Sequence, residues 1–264
     1  MDLKTPQPKL SELYSDIELT EEEKSEAIER ALFEARYTKF AQRNAEEYRM
    51  KIMKPVEVKK YTSAQLLSFL DMTVGFVRDD DNSEIVQILC EYFGEDPAFE
   101  KRGYNHNKGL LLFGGVGVGK THLLSMFRNN QKCSYQVVAC QDVEGAYARS
   151  GDDRNEKTGE VGLKKYYGLV SLSGANQYGQ TSMGFMFDDL GQENIATKFY
   201  GTERNVMMEV LSHRYKNGLF TSTHLTTNLS AEQIKETYGI RVADRMREMF
   251  NLISFPMNAK SRRK

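Results

Sequence analysis

Hydrophobic and polar positions fall into two regimes along the chain. Up to about residue 100, apolar residues recur at helical spacing. Thr20 to Glu23 has the form of a capping box, in which side chains and backbone at a helix start satisfy each other's donors. It predicts a long helix from Glu21 to Met53 with Ile28, Leu32, Ala35 and Phe40 on one stripe, stopped by Pro55. Residues 1–17, with Pro6 and Pro8, read as a loose tail. Ser63 is the expected cap of a second helix through Leu66, Leu67, Leu70 and Val74. Ser83 is the expected cap of a third, through Ile85, Ile88 and Leu89, ending at Gly94.

The pattern changes at Asn105 to Lys108. Gly109-Leu-Leu-Leu-Phe113 is a short apolar run before glycines, the pattern of a buried strand. Further strands are predicted over 135–139, 185–188, 220–227 and 252–255. Helices are predicted over 120–129, from a Thr202 cap to Gly218, from the Ser230–Gln233 capping box to Gly239, and over 241–250. Strands alternating with helices indicate a parallel sheet between two helical layers, an α/β fold. The division expected is a helical region over 1–104 and a core over 105–264.

Composition changes this picture little. With 40% hydrophobic residues there is ample material for a core. A net charge of -1 excludes a global basic field, so any nucleic-acid contact must come from a local patch. The three cysteines form no C-x-x-C pair and read as reduced thiols of a cytoplasmic protein. No apolar h-region opens the chain, and no apolar run is long enough to span a membrane.

The strongest chemical signal is Gly114-Gly115-Val116-Gly117-Val118-Gly119-Lys120-Thr121, a full match to G-x-x-x-x-G-K-[ST]. Glycines let the backbone turn tightly with its amides facing an anion. Lys120 is expected to reach the β- and γ-phosphates of ATP, and the Thr121 hydroxyl to ligate Mg2+. His122 follows directly; it reads as a helix residue beside the nucleotide, not a catalyst. Phe185-Met-Phe-Asp188-Asp189 is an apolar strand ending in two carboxylates, the form of a Walker B element. Asp188 is expected at the metal and Asp189 at the attacking water. Glu193 is a nearby alternative base, with a surface helix position as its bland reading.

These motifs, with Leu225-Thr-Thr-Asn-Leu229 and Tyr238-Gly-Ile-Arg-Val-Ala-Asp-Arg-Met246, resemble the AAA+ ATPases of the DnaC/IstB group over residues 105–264. That group contains helicase loaders and the ATPase partners of transposases. The resemblance implies a P-loop NTPase (AAA+) core with a reduced C-terminal lid, since about 36 residues follow Asn228. It implies slow ATP hydrolysis stimulated by oligomer, DNA or partner. Asn228 falls at the position that senses γ-phosphate, and Arg245 at that of an arginine finger serving a neighbouring subunit. Arg241 and Arg247 are close enough to be confused with Arg245, and Arg214 is a weaker candidate for the same interface. Arg262 or Arg263 falls near the second sensor position. Some loaders carry zinc ligands near the N-terminus; here that region holds only Cys90, so no zinc is expected.

The resemblance also implies a ring or spiral homo-oligomer around DNA. Arg149, Arg154, Lys157, Lys164 and Lys165, with Tyr166 and Tyr167, are the candidates for phosphate contact and base stacking. Asp152, Asp153, Glu156 and Glu160 are interleaved, so a mixed-charge solvated helix is the alternative. The N-terminal helices read either as a cap on the core or as a docking module for a replicative helicase or transposase. The long polar stretch from Gly168 to Met183 reads as a loop. A rival of another class is a nucleotide-gated protein-binding switch with negligible hydrolysis and no DNA role. A small-molecule kinase would need a lid and an acceptor pocket, for which no sequence signal exists.

Overall fold

The structure, a computed structural model, describes residues 18–52, 58–148, 160–199 and 202–263. The chain divides into two compact units, Met1–Pro55 and Val56–Lys264. The first contains α1 (Glu21–Ile52). Its start is the expected box: the Glu23 amide donates to Thr20 Oγ1 at 3.2 Å, and the Thr20 amide to Glu23 Oε2 at 2.8 Å. Ile28, Leu32, Phe33, Tyr37 and Phe40 are all exposed. The expected tail, Met53 and Pro55 lie outside the described residues.

The second unit opens with three helices, α2 (Ser63–Asp71), α3 (Ser83–Phe93) and α4 (Ala98–Lys101). The starts of α2 and α3 each differ from expectation by one residue. Thr62, not Ser63, caps α2, because its hydroxyl reaches the Gln65 amide while the Gln65 side chain returns to Thr62. Asn82, not Ser83, precedes α3. Val74 lies beyond the end of α2 and is fully exposed.

Then come β1 (Gly109–Phe113), α5 (Lys120–Met126), β2 (Tyr135–Ala139), α6 (Cys140–Ala148), α7 (Glu160–Tyr167), β3 (Val170–Ser171) and β4 (Ser182–Leu190). They are followed by β5 (Thr197–Phe199), β6 (Thr202–Arg204), α8 (Val206–Lys216), β7 (Thr223–Thr227), α9 (Ala231–Tyr238), α10 (Ile240–Met249) and β8 (Phe250–Ser254). Thr202 is a strand residue in a small β5–β6 hairpin; Asn205 caps α8 by accepting the Met208 amide.

The main sheet runs β2-β4-β7-β1-β8, every neighbour parallel, with β3 antiparallel on the side of β4. Side chains alternate across a strand, so the two faces meet different helices. Leu111, Phe185, Phe187 and Leu225 pack with residues of α6 to α10. Leu110, Leu112, Met186 and Ile253 pack with α2, α3, α4 and α5. This is a three-layer α/β core, with helices on both faces of a parallel sheet. The expected boundary at 104 falls within the second unit, because Leu89, Phe93 and Phe99 share one apolar cluster with β1.

The stretch before β4 is an ordered hairpin. Asn176 Oδ1 accepts the amides of Tyr178 and Gln180, and Gln180 bridges the Ser134 amide to the Asn130 carbonyl. It ties down the end of the sheet opposite the phosphate loop.

Candidate functional site

In an open parallel sheet, ligands bind beyond the carboxyl ends of the strands. There the chain leaves β1 and turns through the glycines into α5. Gly117 (φ 82°) and Gly119 (φ 103°) adopt left-handed conformations, which cost a residue with a Cβ roughly 1–2 kcal/mol. A Cβ on Gly117 would also stand 2.3 Å from Ser261 Oγ. Lys120 is buried; its Nζ donates to the carbonyls of Gly114 and Gly115, both at 2.8 Å, and to Asn228 Oδ1 at 2.6 Å. Burial lowers its pKa from the usual lysine value, opposed by the carboxylates of Asp189 and Asp188.

β7 lies between β1 and the acidic strand β4, so its end faces both. Asp188 Oδ1 accepts from Thr121 Oγ1 at 2.8 Å and from Thr226 Oγ1 at 2.6 Å. The β4–β7 ladder shifts register between Phe187 and Leu190, and Asp189 takes φ 55°. A bulge of this kind re-aims a side chain, and a positive φ on a residue other than glycine marks local strain. The Asp189 amide donates to Thr226 Oγ1 at 2.9 Å, and Asn228 Nδ2 donates to Asp189 Oδ1 at 3.4 Å.

A cleft of about 660 Å³ opens over this cluster. It is lined by 116–123, Asp189 and Asn228, by Gly75, Phe76, Val77 and Asn82, and by Arg262 and Arg263. Of the expected binding residues, Val116 to His122 line it, while Gly114 and Gly115 are outside its lining and accept from Lys120. The hard oxygens of Thr121 and Asp188, brought within hydrogen-bond distance, are the donor type a magnesium ion takes.

The remaining candidates separate. Arg245 is not part of the cleft. It is half-buried on α10, donating to Ser212 Oγ at 3.1 Å with its guanidinium 5.2 Å from the Tyr215 ring. Arg241 is exposed, and Arg247 pairs with Asp244 at 3.4 Å.

Three readings are corrected. Arg214 is no interface residue: it is fully buried, donating to the carbonyls of Tyr166, Gly168 and Ser222 and to the Thr223 hydroxyl. Glu193 is neither a surface helix residue nor a free base. It is buried, receiving the Gly191 amide at 2.8 Å and the Tyr238 hydroxyl. Tyr166 cannot stack on a base, because it is buried against Phe185 and Phe187. Tyr167 is held by stacking on His213 and by a bond from its hydroxyl to Glu209 at 2.6 Å. Lys164 and Lys165 remain exposed on α7. Arg149, Arg154 and Lys157 lie outside the described residues.

Thr226 is a site residue that sequence reasoning passed over. Its signal was a polar residue in a fully buried strand.

No family model matches the chain, and no curated protein matches it. Among solved structures, the chain is similar to the crystal structure of the DnaC helicase loader. That match has 19% sequence identity and a TM-score of 0.43, and covers 68% of this chain and 92% of that one.

Proposed function

We propose that this chain is an ATPase that binds ATP with Mg2+ between the phosphate loop and the ends of β4 and β7. The observation that carries this is the meeting of Lys120, Thr121, Asp188, Asp189 and Asn228 in one hydrogen-bonded cluster. The loop amides and Lys120 bind the phosphates. Thr121 and Asp188 hold the magnesium ion, which supplies charge neutralisation on the phosphate oxygens when bound. Asp189 orients water for attack on the γ-phosphate, and Asn228 positions both Asp189 and Lys120. Aspartate is a methylene shorter than the glutamate many such enzymes use, and the bulge that turns Asp189 into the cleft offsets that shortfall.

Arg245 acts on the nucleotide of a neighbouring subunit in a ring or spiral homo-oligomer. Its location away from the cleft of its own chain supports a role in trans. The assembly acts on DNA in the cytoplasm, with Lys164 and Lys165 neutralising backbone phosphates. It delivers a replicative helicase or a transposase docked on the N-terminal region. Among the described residues, no helix is long and apolar enough to cross a membrane.

Gel filtration with and without a non-hydrolysable ATP analogue, repeated with DNA, tests this reading. Nucleotide-dependent oligomers that retain DNA are expected. A monomer that binds nucleotide and ignores DNA would leave only a nucleotide-gated switch.

A further inference from the structure

The segment after β8 crosses the phosphate loop. Phe255 donates its amide to the Phe113 carbonyl at 2.9 Å, and Ser261 lies against Gly117. Arg262 then makes two contacts with the loop: its amide donates to the Gly117 carbonyl at 2.9 Å and its Nε to the Val118 carbonyl at 3.0 Å. The far side of its guanidinium is turned to an acid. Both terminal nitrogens donate to the carboxylate of Asp79, at 2.6 and 2.7 Å. Two parallel bonds of this kind are the strong, directional form of an ion pair.

Asp79 is itself held in place. It sits in the turn before α3, where its amide donates to Asn82 Oδ1 at 3.0 Å and its Oδ1 receives the Asp81 amide at 3.0 Å. Asn82 is buried and donates to the Val77 carbonyl at 2.9 Å. Asp81 meanwhile receives the Lys260 amide at 3.1 Å. The turn over 79–82 therefore grips the 260–262 segment at two points. The pair lowers the Asp79 pKa and raises that of Arg262.

Peptide planarity gives these contacts a consequence. In a trans peptide the carbonyl of one residue and the N–H of the next point in opposite directions. Arg262 holds the Gly117 and Val118 carbonyls toward itself, so the N–H groups of Val118 and Gly119 are directed away from it. Those are two of the amides on which a phosphate-binding loop relies. We propose that Arg262, fixed by Asp79, is a positioning residue that orients the Val118 and Gly119 amides for phosphate. This rests on the assignment of the loop as an ATP site, and it makes nucleotide affinity depend on a turn about 35 residues before the loop. A free loop would have to order these two planes each time it bound. Here the ordering is done beforehand, which is the general source of affinity from preorganisation.

The test is a double-mutant cycle on the full chain, Asp79→Asn and Arg262→Gln, read as the Kd of a fluorescent ATP analogue with Mg2+. Each single change is expected to weaken binding about tenfold, the scale of one charge-assisted hydrogen-bonding group. The double variant is expected to be no weaker than the worse single, because the two residues act as one clamp. Losses that multiply, or single variants that bind like the wild type, overturn the proposal. Nucleotide-free melting temperatures should match the wild type. If either variant melts early, Arg262→Lys decides: it keeps the charge opposite Asp79 but loses the fork and the donor to Val118. About the same loss of affinity is expected there, and wild-type affinity overturns the clamp. Lys120→Ala separates the two levels of inference. If it binds the analogue as well as the wild type, the ATP site itself is wrong. If it fails to bind while the Asp79 and Arg262 variants bind normally, only the clamp is wrong.

Discussion

Lys120 Nζ lies 2.6 Å from Asn228 Oδ1, so the phosphate loop and the end of β7 are joined by a charge-assisted hydrogen bond. The same Asn228 donates from its other side-chain atom to Asp189. One amide therefore touches both the cation proposed to meet phosphate and the carboxylate proposed to meet water. Removing the cation and removing the amide should have different effects. Lys120→Ala is expected to abolish ATP binding, checked by titration with a fluorescent analogue. Asn228→Ala leaves Lys120 its two carbonyl partners. It is expected to retain binding within a few-fold and to lose turnover by about 10²-fold, the scale of a lost transition-state contact. A large loss of affinity in Asn228→Ala would remove the distinction.

Thr226 presents a second opportunity. Its hydroxyl donates to Asp188 and accepts from the Asp189 amide, so it sets the positions of both carboxylates from a neighbouring strand. Thr226→Val keeps the shape and removes both bonds. The change leaves the half-buried Asp189 amide without its acceptor, at a cost of about 1 kcal/mol in stability. Turnover should fall further than nucleotide affinity, because phosphate binding rests on the loop. Chemical denaturation and a phosphate-release assay measure the two effects separately. Unchanged turnover would mean that the acidic pair is held without Thr226.

The parts of this site written in contiguous residues could be read from the chain directly. The glycine loop and the Phe-Met-Phe-Asp-Asp strand carry their chemistry in local order, and the structure brings them together at one end of the sheet. Helix starts were read one to three residues away, at Ser63, Ser83 and Thr202. Ser, Thr and Asn are alike as caps, and only the actual backbone turn selects among them. The misread residues share another cause. Arg214 and Tyr166 look like surface residues in sequence, yet they meet each other across 48 residues. Glu193 meets Tyr238 across 45 residues. Asp79 and Arg262 are separated by 183 residues, and nothing near either one signals the other.

Arg245 tests the role of the neighbouring subunit. Among the described residues, its contacts include a serine hydroxyl and a tyrosine ring on α8, neither of which neutralises its charge. Arg245→Ala is expected to bind ATP with wild-type affinity and to lose the rise in turnover that accompanies assembly. Specific activity measured across a range of protein concentrations checks this. A normal concentration-dependent rise in the variant would shift the finger assignment to another arginine.

Arg214 is expected to matter for stability and not for nucleotide. Its guanidinium joins the end of α7 to the start of β7 by bonds to three backbone carbonyls and a threonine hydroxyl. No carboxylate accompanies it among those partners, and burial lowers its pKa to about 10. Arg214→Met fills similar volume but strands those carbonyls, each unsatisfied group costing about 1–3 kcal/mol. A loss of about 3 kcal/mol or more is expected in denaturant unfolding, with ATP affinity unchanged in the folded protein. A loss under about 1 kcal/mol would show that water or relaxation satisfies the carbonyls instead.

His224 gives the fold a pH dependence with a definite sign. It lies on β7 in the centre of the sheet, fully buried, with Nδ1 accepting the Leu110 amide at 3.1 Å. Nε2 has no hydrogen-bond partner among the described residues, and the rings of Tyr92, Phe93 and Tyr135 surround the imidazole. Burial first, then the positive charges of Arg214 and Lys132, lower its pKa from 6.5 to about 3. The unfolded chain therefore takes up a proton at a higher pH than the folded chain does. The stability associated with the neutral ring is complete above pH 6.5 and is lost as pH falls from there toward 3, with a slope of up to about 1.4 kcal/mol per pH unit. Carboxylates also titrate in this range, so the measurement is a difference. His224→Gln removes the titrating group while keeping an acceptor for Leu110. The wild type's stability relative to this variant, from urea unfolding, is expected to decline steadily between pH 6.5 and about 3. A difference that stays level across that window would mean that the imidazole reaches solvent or a partner when it is protonated.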